Sequence, residues 1–277
     1  QTDPTAYKNR LVSLNGIGNI CLTLSDTETA DSVFRAALAG ERFLGSHLGQ
    51  AINYANIGSL FEHSNRTDSA WTYYRLSMEQ NKLAHSDLGI SLCYTHFGRL
   101  YEKAGKTAQA IAEYLKAYDI MASSDDQWHA MEPCLALAQI YVKQGNYSDA
   151  KHYLAIADGV AHRLKSLEHQ SQVAWLYYNI YLKEGDCRNA LKFYKQYNEL
   201  GDSVSSEKNL IHMQKIRIRY EHDQRRAEVD AINKEYRTER MLKMVSFATV
   251  FLVIILAAVI ISFLVYALNN RKRKQLA

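Results

Sequence analysis

The sequence predicts an all-α chain: an α-solenoid made of five 40-residue helical hairpins, followed by a long helical stalk and one transmembrane helix. Three observations carry this expectation. Only two of the 277 residues are proline, Pro4 and Pro133, so long stretches are free to run as helix. Aligning the chain with itself at an offset of 40 superimposes five units without an insertion. Toward the C-terminus, 27 consecutive residues carry no charge.

The five units occupy residues 1–203. One column reads Ala30, Ala70, Ala110, Ala150 and Ala190, and four residues further on stand Phe34, Tyr74, Tyr114, Leu154 and Tyr194. Twelve residues before the alanines come Gly18, Gly58, Gly98, Ala138 and Tyr178, and nine before them Cys21, Phe61, Tyr101, Tyr141 and Tyr181. Apolar residues spaced by three and four, such as Phe97, Leu100 and Tyr101, draw a stripe along the first helix of a unit. Small residues in the Gly18 and Ala30 columns let two helix axes approach, and the large rings of neighbouring columns fill the space beside them. Turn signals at Ser25-Asp26, Asn65-Arg66, Gly105-Lys106, Gly145-Asn146 and Gly185-Asp186 end one helix and begin the next. A single hairpin cannot bury its own stripe, so the units must stack.

These columns resemble the tetratricopeptide repeat, shown best by Tyr94, Phe97, Gly98, Tyr101, Ala110, Tyr114 and Ala117. The period here is 40 rather than about 34, the common first-helix Trp is absent and no Pro closes the units. Longer helices account for the difference. The resemblance implies that the inner face of the first helices lines a concave groove for a protein or peptide ligand. Carried over by column, that face holds Asn15, Ala55, Thr95, Leu135 and Trp175, then Asn19, Ser59, Arg99, Gln139 and Asn179. A third column, Thr23, His63, Lys103, Lys143 and Lys183, becomes cationic toward the third to fifth units. The family's carboxylate clamp for acidic chain ends needs Lys in the first column, and no unit supplies one. The same positions also read as solvated side chains on an inner face.

From about residue 204 the repeat stops. Residues 204–243 are helix formers with mixed charges, and Leu210, Met213, Ile216 and Tyr220 make a stripe that Gln224, Ala227, Ala231 and Lys234 continue poorly. A coiled coil and a solvated stalk both fit. Residues 244–270 are expected to cross a membrane, since about 20 apolar residues span a hydrocarbon layer of about 30 Å. Ala258 and Ser262 form a small-xxx-small pair, so a homodimer through stalk and span is a possible arrangement. Residues 271–277 are a basic juxtamembrane tail. Four cations stand on each side of the span, the contiguous set after it favouring a cytoplasmic C-terminus. Gln1 in place of Met reads as processing, which fits an exported repeat region. The expected location is a bacterial inner membrane, with the repeats in the periplasm.

The first 207 residues carry 23 acids against 19 Lys and Arg, so the body is slightly acidic and no nucleic-acid partner is expected of it. Cys21, Cys93, Cys134 and Cys187 are far apart and show neither metal-ligand nor CxxC spacing. Ten histidines form no HExxH, and there is no Gly-rich phosphate loop or GxSxG elbow. No catalytic, cofactor or metal residue is expected, and the chain reads as a binding protein, not an enzyme. Repeats, stalk, single span and basic exit together resemble the sensory half of membrane-spanning regulators of Bacteroidetes-type bacteria. That resemblance implies a helix-turn-helix or histidine-kinase output beyond the span, about where this chain ends at Ala277. The expected function is then the extracytoplasmic sensory part of a transmembrane regulator, binding a protein, a peptide or possibly a glycan. A membrane-anchored scaffold and a tail-anchored, cytosol-facing adaptor are the alternatives.

Overall fold

The computed structural model describes residues 4–124 and 128–275; side chains at 4, 203–220, 222–223, 253–255 and 257–275 lie outside the description. There are two compact units, Gln1–His212 and Met213–Ala277. Among the described residues the first unit holds five hairpins and no strand. These are α1 (Pro4–Thr23) with α2 (Thr27–Phe43), α3 (His47–His63) with α4 (Thr67–Leu83), and α5 (Asp87–Lys103) with α6 (Thr107–Ala122). Then come α7 (Met131–Gln144) with α8 (Tyr147–Arg163), and α9 (Leu167–Glu184) with the first turns of α10 (Cys187–Gln275).

The long period follows from helix length. Two 17-residue helices and two three-residue turns, as in α3 and α4, make one unit. Every turn inside a hairpin contains a left-handed residue: Ser25, Asn65, Gly105, Gly145 or Gly185. The next N–H closes the helix by donating to the carbonyl five residues back, as from Asn146 to Tyr141 and from Asp186 to Tyr181 (both 2.9 Å). Asp26, Asn146 and Asp186 then cap the following helix, each accepting from the backbone N–H three residues on. A second set of turns, between hairpins, was not anticipated. Gly45, His85 and Lys165 are left-handed there, and the Ser46 and Ser86 hydroxyls accept from the Gly49 and Gly89 N–H groups (both 3.1 Å).

The small columns lie where helices touch. Gly18, Gly58 and Gly98 sit against the rings of Phe34, Tyr74 and Tyr114, and a Cβ on any of them would overlap the ring. Ala30, Ala70, Ala110, Ala138 and Ala150 are fully buried, and Ala190 nearly so. One contact inside the hairpin shows how closely the units correspond. In the second hairpin Ser77 of α4 donates to the Ala51 carbonyl of α3 (2.9 Å), and in the third Ser91 of α5 donates to the Ala117 carbonyl of α6 (2.9 Å). The serine has changed helices while the hydrogen bond stays in place. The first helices also approach one another at backbone range, α1 to α3, α3 to α5 and α7 to α9, forming a wall in two stretches that the Arg99–Glu132 ion pair bridges between α5 and α7.

The expected boundary at 203/204 is not a helix end, because α10 runs through it and the first compact unit closes at His212. In the second unit α10 continues as helix to Gln275, with described side chains that are exposed. The proposed stripe Leu210, Met213, Ile216 and Tyr220, the Ala258–Ser262 pair and the basic tail lie outside the described side chains. Within 244–270, side chains are described only at 244–252 and 256. Among the described residues, no helix is long and apolar enough to cross a membrane.

Candidate ligand-binding face

The wall of first helices carries a ladder of charges at its centre. Glu62 of α3 has a side chain only 6% exposed, and it accepts from the Tyr74 hydroxyl (2.7 Å), Arg99 Nη2 (3.1 Å) and Lys103 Nζ (3.0 Å). Arg99 of α5 reaches in the other direction to Glu132 of α7 (2.8 Å), so one guanidinium ties three successive hairpins together. A second rung repeats the scheme one unit on, where the Tyr114 hydroxyl (3.3 Å) and Lys143 Nζ (3.3 Å) meet Glu102.

The energetics of the ladder follow from burial opposed by pairing. Desolvation would raise the Glu62 carboxyl, but the Arg99 charge and hydrogen bonds from Tyr74, Arg99 and Lys103 outweigh it and hold the group down at about 2. Burial, then the Glu62 charge, raises the Tyr74 hydroxyl, which therefore stays a donor. His96 stacks flat on the Tyr74 ring at 4.3 Å, with Nδ1 2.7 Å from Arg99 Nη2. Burial and the Arg99 charge lower the imidazole to about 3, so it is neutral and its Nδ1 accepts from the guanidinium.

These facts bear on two expectations. In the third column Lys103 and Lys143 each pair with a carboxylate of the preceding hairpin, while Lys183 stays exposed. Thr95 is not available to a ligand: it is 2% exposed and donates to the Ser91 carbonyl of its own helix (3.2 Å). Leu135 of the same column is also buried. The remaining positions stay on the surface. Asn15 and Ser59 are partly exposed, Asn15 receiving a long hydrogen bond from Asn56 (3.5 Å) and Ser59 pairing with His63, whose Nδ1 lies 2.7 Å from the Ser59 carbonyl. Asn19 and Lys183 are exposed and Gln139 is partly so. At the far end Trp175 is 42% exposed and lies against Tyr178 (5.4 Å) and Tyr197 (5.0 Å), while Asn179 Nδ2 donates to the Trp175 carbonyl (2.7 Å).

Glu62, Glu102 and Glu132 escaped the sequence reading, yet for the first two a signal was present. Twelve residues before the aromatic column stand Leu22, Glu62, Glu102, Val142 and Leu182, opposite Phe34, Tyr74, Tyr114, Leu154 and Tyr194. A carboxylate appears where a buried ring bears a hydroxyl and an aliphatic where the residue has none. The fifth unit pairs Leu182 with a tyrosine that is 42% exposed and needs no protein acceptor.

The chain carries tetratricopeptide repeats: residues 92–121 and 132–155 match the family described as Tetratricopeptide repeat. No curated protein sequence matches the chain. Among solved structures, BtubC (BKLC) from P. vanneervenii is similar with a TM-score of 0.64 at 15% identity, over 73% of this chain and 84% of that one. Aspartyl phosphate phosphatase F from Bacillus subtilis aligns with a TM-score of 0.58 at 17% identity, over 68% of this chain and 50% of its own. A Rap protein complexed with Competence and Sporulation Factor gives 0.57 at 15% identity, over 74% of this chain and 57% of its own. This chain therefore spans about half the length of the last two. At such identities the likeness establishes the fold alone, an all-α TPR-like solenoid.

Proposed function

We propose that this chain is a non-enzymatic, membrane-anchored binding module, the extracytoplasmic sensory part of a transmembrane regulator, whose wall of first helices takes an extended peptide or a partner helix. The observation that carries the ligand reading is the surface left once the charge ladder is paired off. It holds side-chain amides in one inner-face column, Asn19 of the first hairpin and Gln139 and Asn179 of the fourth and fifth, with the half-exposed Trp175 at the far end. Amides satisfy the backbone of an extended peptide, and an exposed indole supplies an apolar anchor. The reading agrees with the Rap protein that is complexed with Competence and Sporulation Factor.

Anchoring rests on the charge-free residues 244–270 and orientation on the contiguous cations that follow them. A photo-crosslinking side chain placed at Asn19, Gln139 or Asn179 is expected to capture the ligand in cells, and one at the outward Arg75 or Ala155 is not. Capture only at the outward positions would overturn the ligand reading. Labelling of the exposed Cys187 by an impermeant thiol reagent in intact cells tests the orientation; labelling only after lysis favours a cytosol-facing adaptor.

A further inference from the structure

Every internal joint of the solenoid has the same construction, the second helix of one hairpin lying on the first helix of the next. Trp71 of α4 stacks on Phe97 (5.1 Å) and meets Tyr101 edge-on (4.8 Å), and Lys151 of α8 lies 4.7 Å over the Tyr181 ring. The donating column is Asp31, Trp71, Ile111 and Lys151, and its fifth member is Leu191. Beside the partly buried rings of Tyr101 and Tyr181, the columns of Ile17 and Ile20 are buried at internal joints, as at Ile57, Leu60, Leu100 and Ile140.

At the two ends of the first unit these columns are open. Ile17 and Ile20 of α1 are 46% and 56% exposed, and Leu191 and Tyr194 of α10 are 55% and 42% exposed. The unit thus displays, at opposite ends, the two halves of a joint it makes four times within itself. Apolar surface of this kind is costly to leave in water.

We infer that copies of this chain dock head to tail, α1 of one copy lying on the first turns of α10 of another and reproducing the internal joint. The repeat itself specifies this occupant, since a second copy presents the columns that mate inside the chain. The contact is heterologous: the donor face of one molecule meets the receiver face of the next, so association continues into a row or closes into a ring. It uses neither stalk nor span and does not depend on the ligand reading.

The cysteines make the geometry testable. Cys187 stands in the column of Thr27, and Cys21 in the column of Phe61. Thr27 and Phe61 line one cleft of about 360 Å³ where α2 meets α3. Docking therefore brings Cys187 of one copy and Cys21 of the next to the walls of one such cleft, while Cys93 and Cys134 are buried.

The full chain in detergent is treated with a short bismaleimide and run under denaturing, reducing conditions. The unaltered chain is expected to give a ladder of products. Cys21→Ser and Cys187→Ser chains are expected to give none separately and a cross-linked pair when mixed. Ile17→Glu or Ile20→Glu, at positions exposed in the single chain but in columns buried at the internal joints, should lower the yield about tenfold or more with helix content unchanged, because each would bury a carboxylate in the joint. No product from the mixture, an equal yield from Cys21→Ser alone, or indifference to both glutamates overturns the inference. The second of these results would mean two-fold symmetric pairing instead.

Discussion

The second and third hairpins are built on the same columns as the fifth, yet they pack in opposite ways. In the former a glycine lies against a buried tyrosine ring, and the ring's hydroxyl is anchored on a glutamate of the facing helix. In the fifth, Tyr178 replaces the glycine and Tyr197 replaces the small residue of the second helix, so rings meet rings, Tyr178 with Tyr194 at 5.3 Å and Tyr177 with Phe193 at 4.7 Å. Interior units gain density by close approach and must then satisfy every polar atom they enclose. The end unit keeps its hydroxyls near water and needs no carboxylate. A buried charge ladder is thus a consequence of putting tyrosine, rather than phenylalanine, at a close contact.

The largest expected effect separates two members of one column. Tyr114→Ala should cost about 3–5 kcal/mol, and Tyr194→Ala, already half in solvent, about 1 kcal/mol. Urea denaturation followed by circular dichroism measures both, and equal losses would erase the distinction between interior and end. Next, Glu62→Ala should cost about 3 kcal/mol by leaving the Tyr74 hydroxyl unpaired and Arg99 partly so. Glu62→Leu combined with Tyr74→Phe, which installs the Leu22 and Phe34 pair of the first hairpin, should recover much of that loss; a double variant no better than Glu62→Ala breaks the pairing rule. Gly58→Val and Ala110→Leu should each cost about 1–3 kcal/mol by overpacking, read from the same transitions.

Acid has a smaller effect, with a defined sign. The Glu62 carboxyl is held below its ordinary value, at about 2, so its stabilisation is complete above about pH 4.5 and is lost as pH falls through about 2. Melting temperature should drop over that window by the equivalent of about 1–2 kcal/mol more in the parent chain than in Glu62→Gln. Smallest of all, Lys143→Met should change stability by less than about 0.5 kcal/mol, because that lysine is 70% exposed and its ion pair is screened.

Much of this architecture was legible beforehand for a local reason. Helix length, left-handed turns and the small columns recur every 40 residues, and repetition averages out the ambiguity of any one stretch. The turns at Gly45, His85 and Lys165 obey the same period but lacked a shared turn residue, so only the serines after them, Ser46, Ser86 and Ser166, hinted at caps. The inner face was legible as a set of positions, not as chemistry. Asn19, Lys183 and Trp175 reach solvent, whereas Thr95 turns its hydroxyl back to Ser91 where neighbouring first helices close together.

The sequence by itself determined which residues recur, how long each helix is and where the chain turns, because those depend on neighbours within a few positions. Only the tertiary structure decided which charges are spent. Arg99 lies 37 residues from Glu62 and 33 from Glu132, and Lys143 lies 41 from Glu102. Such pairs form through the stacking of whole hairpins, and a one-dimensional reading sees the lysines as available and the buried glutamates as ordinary surface.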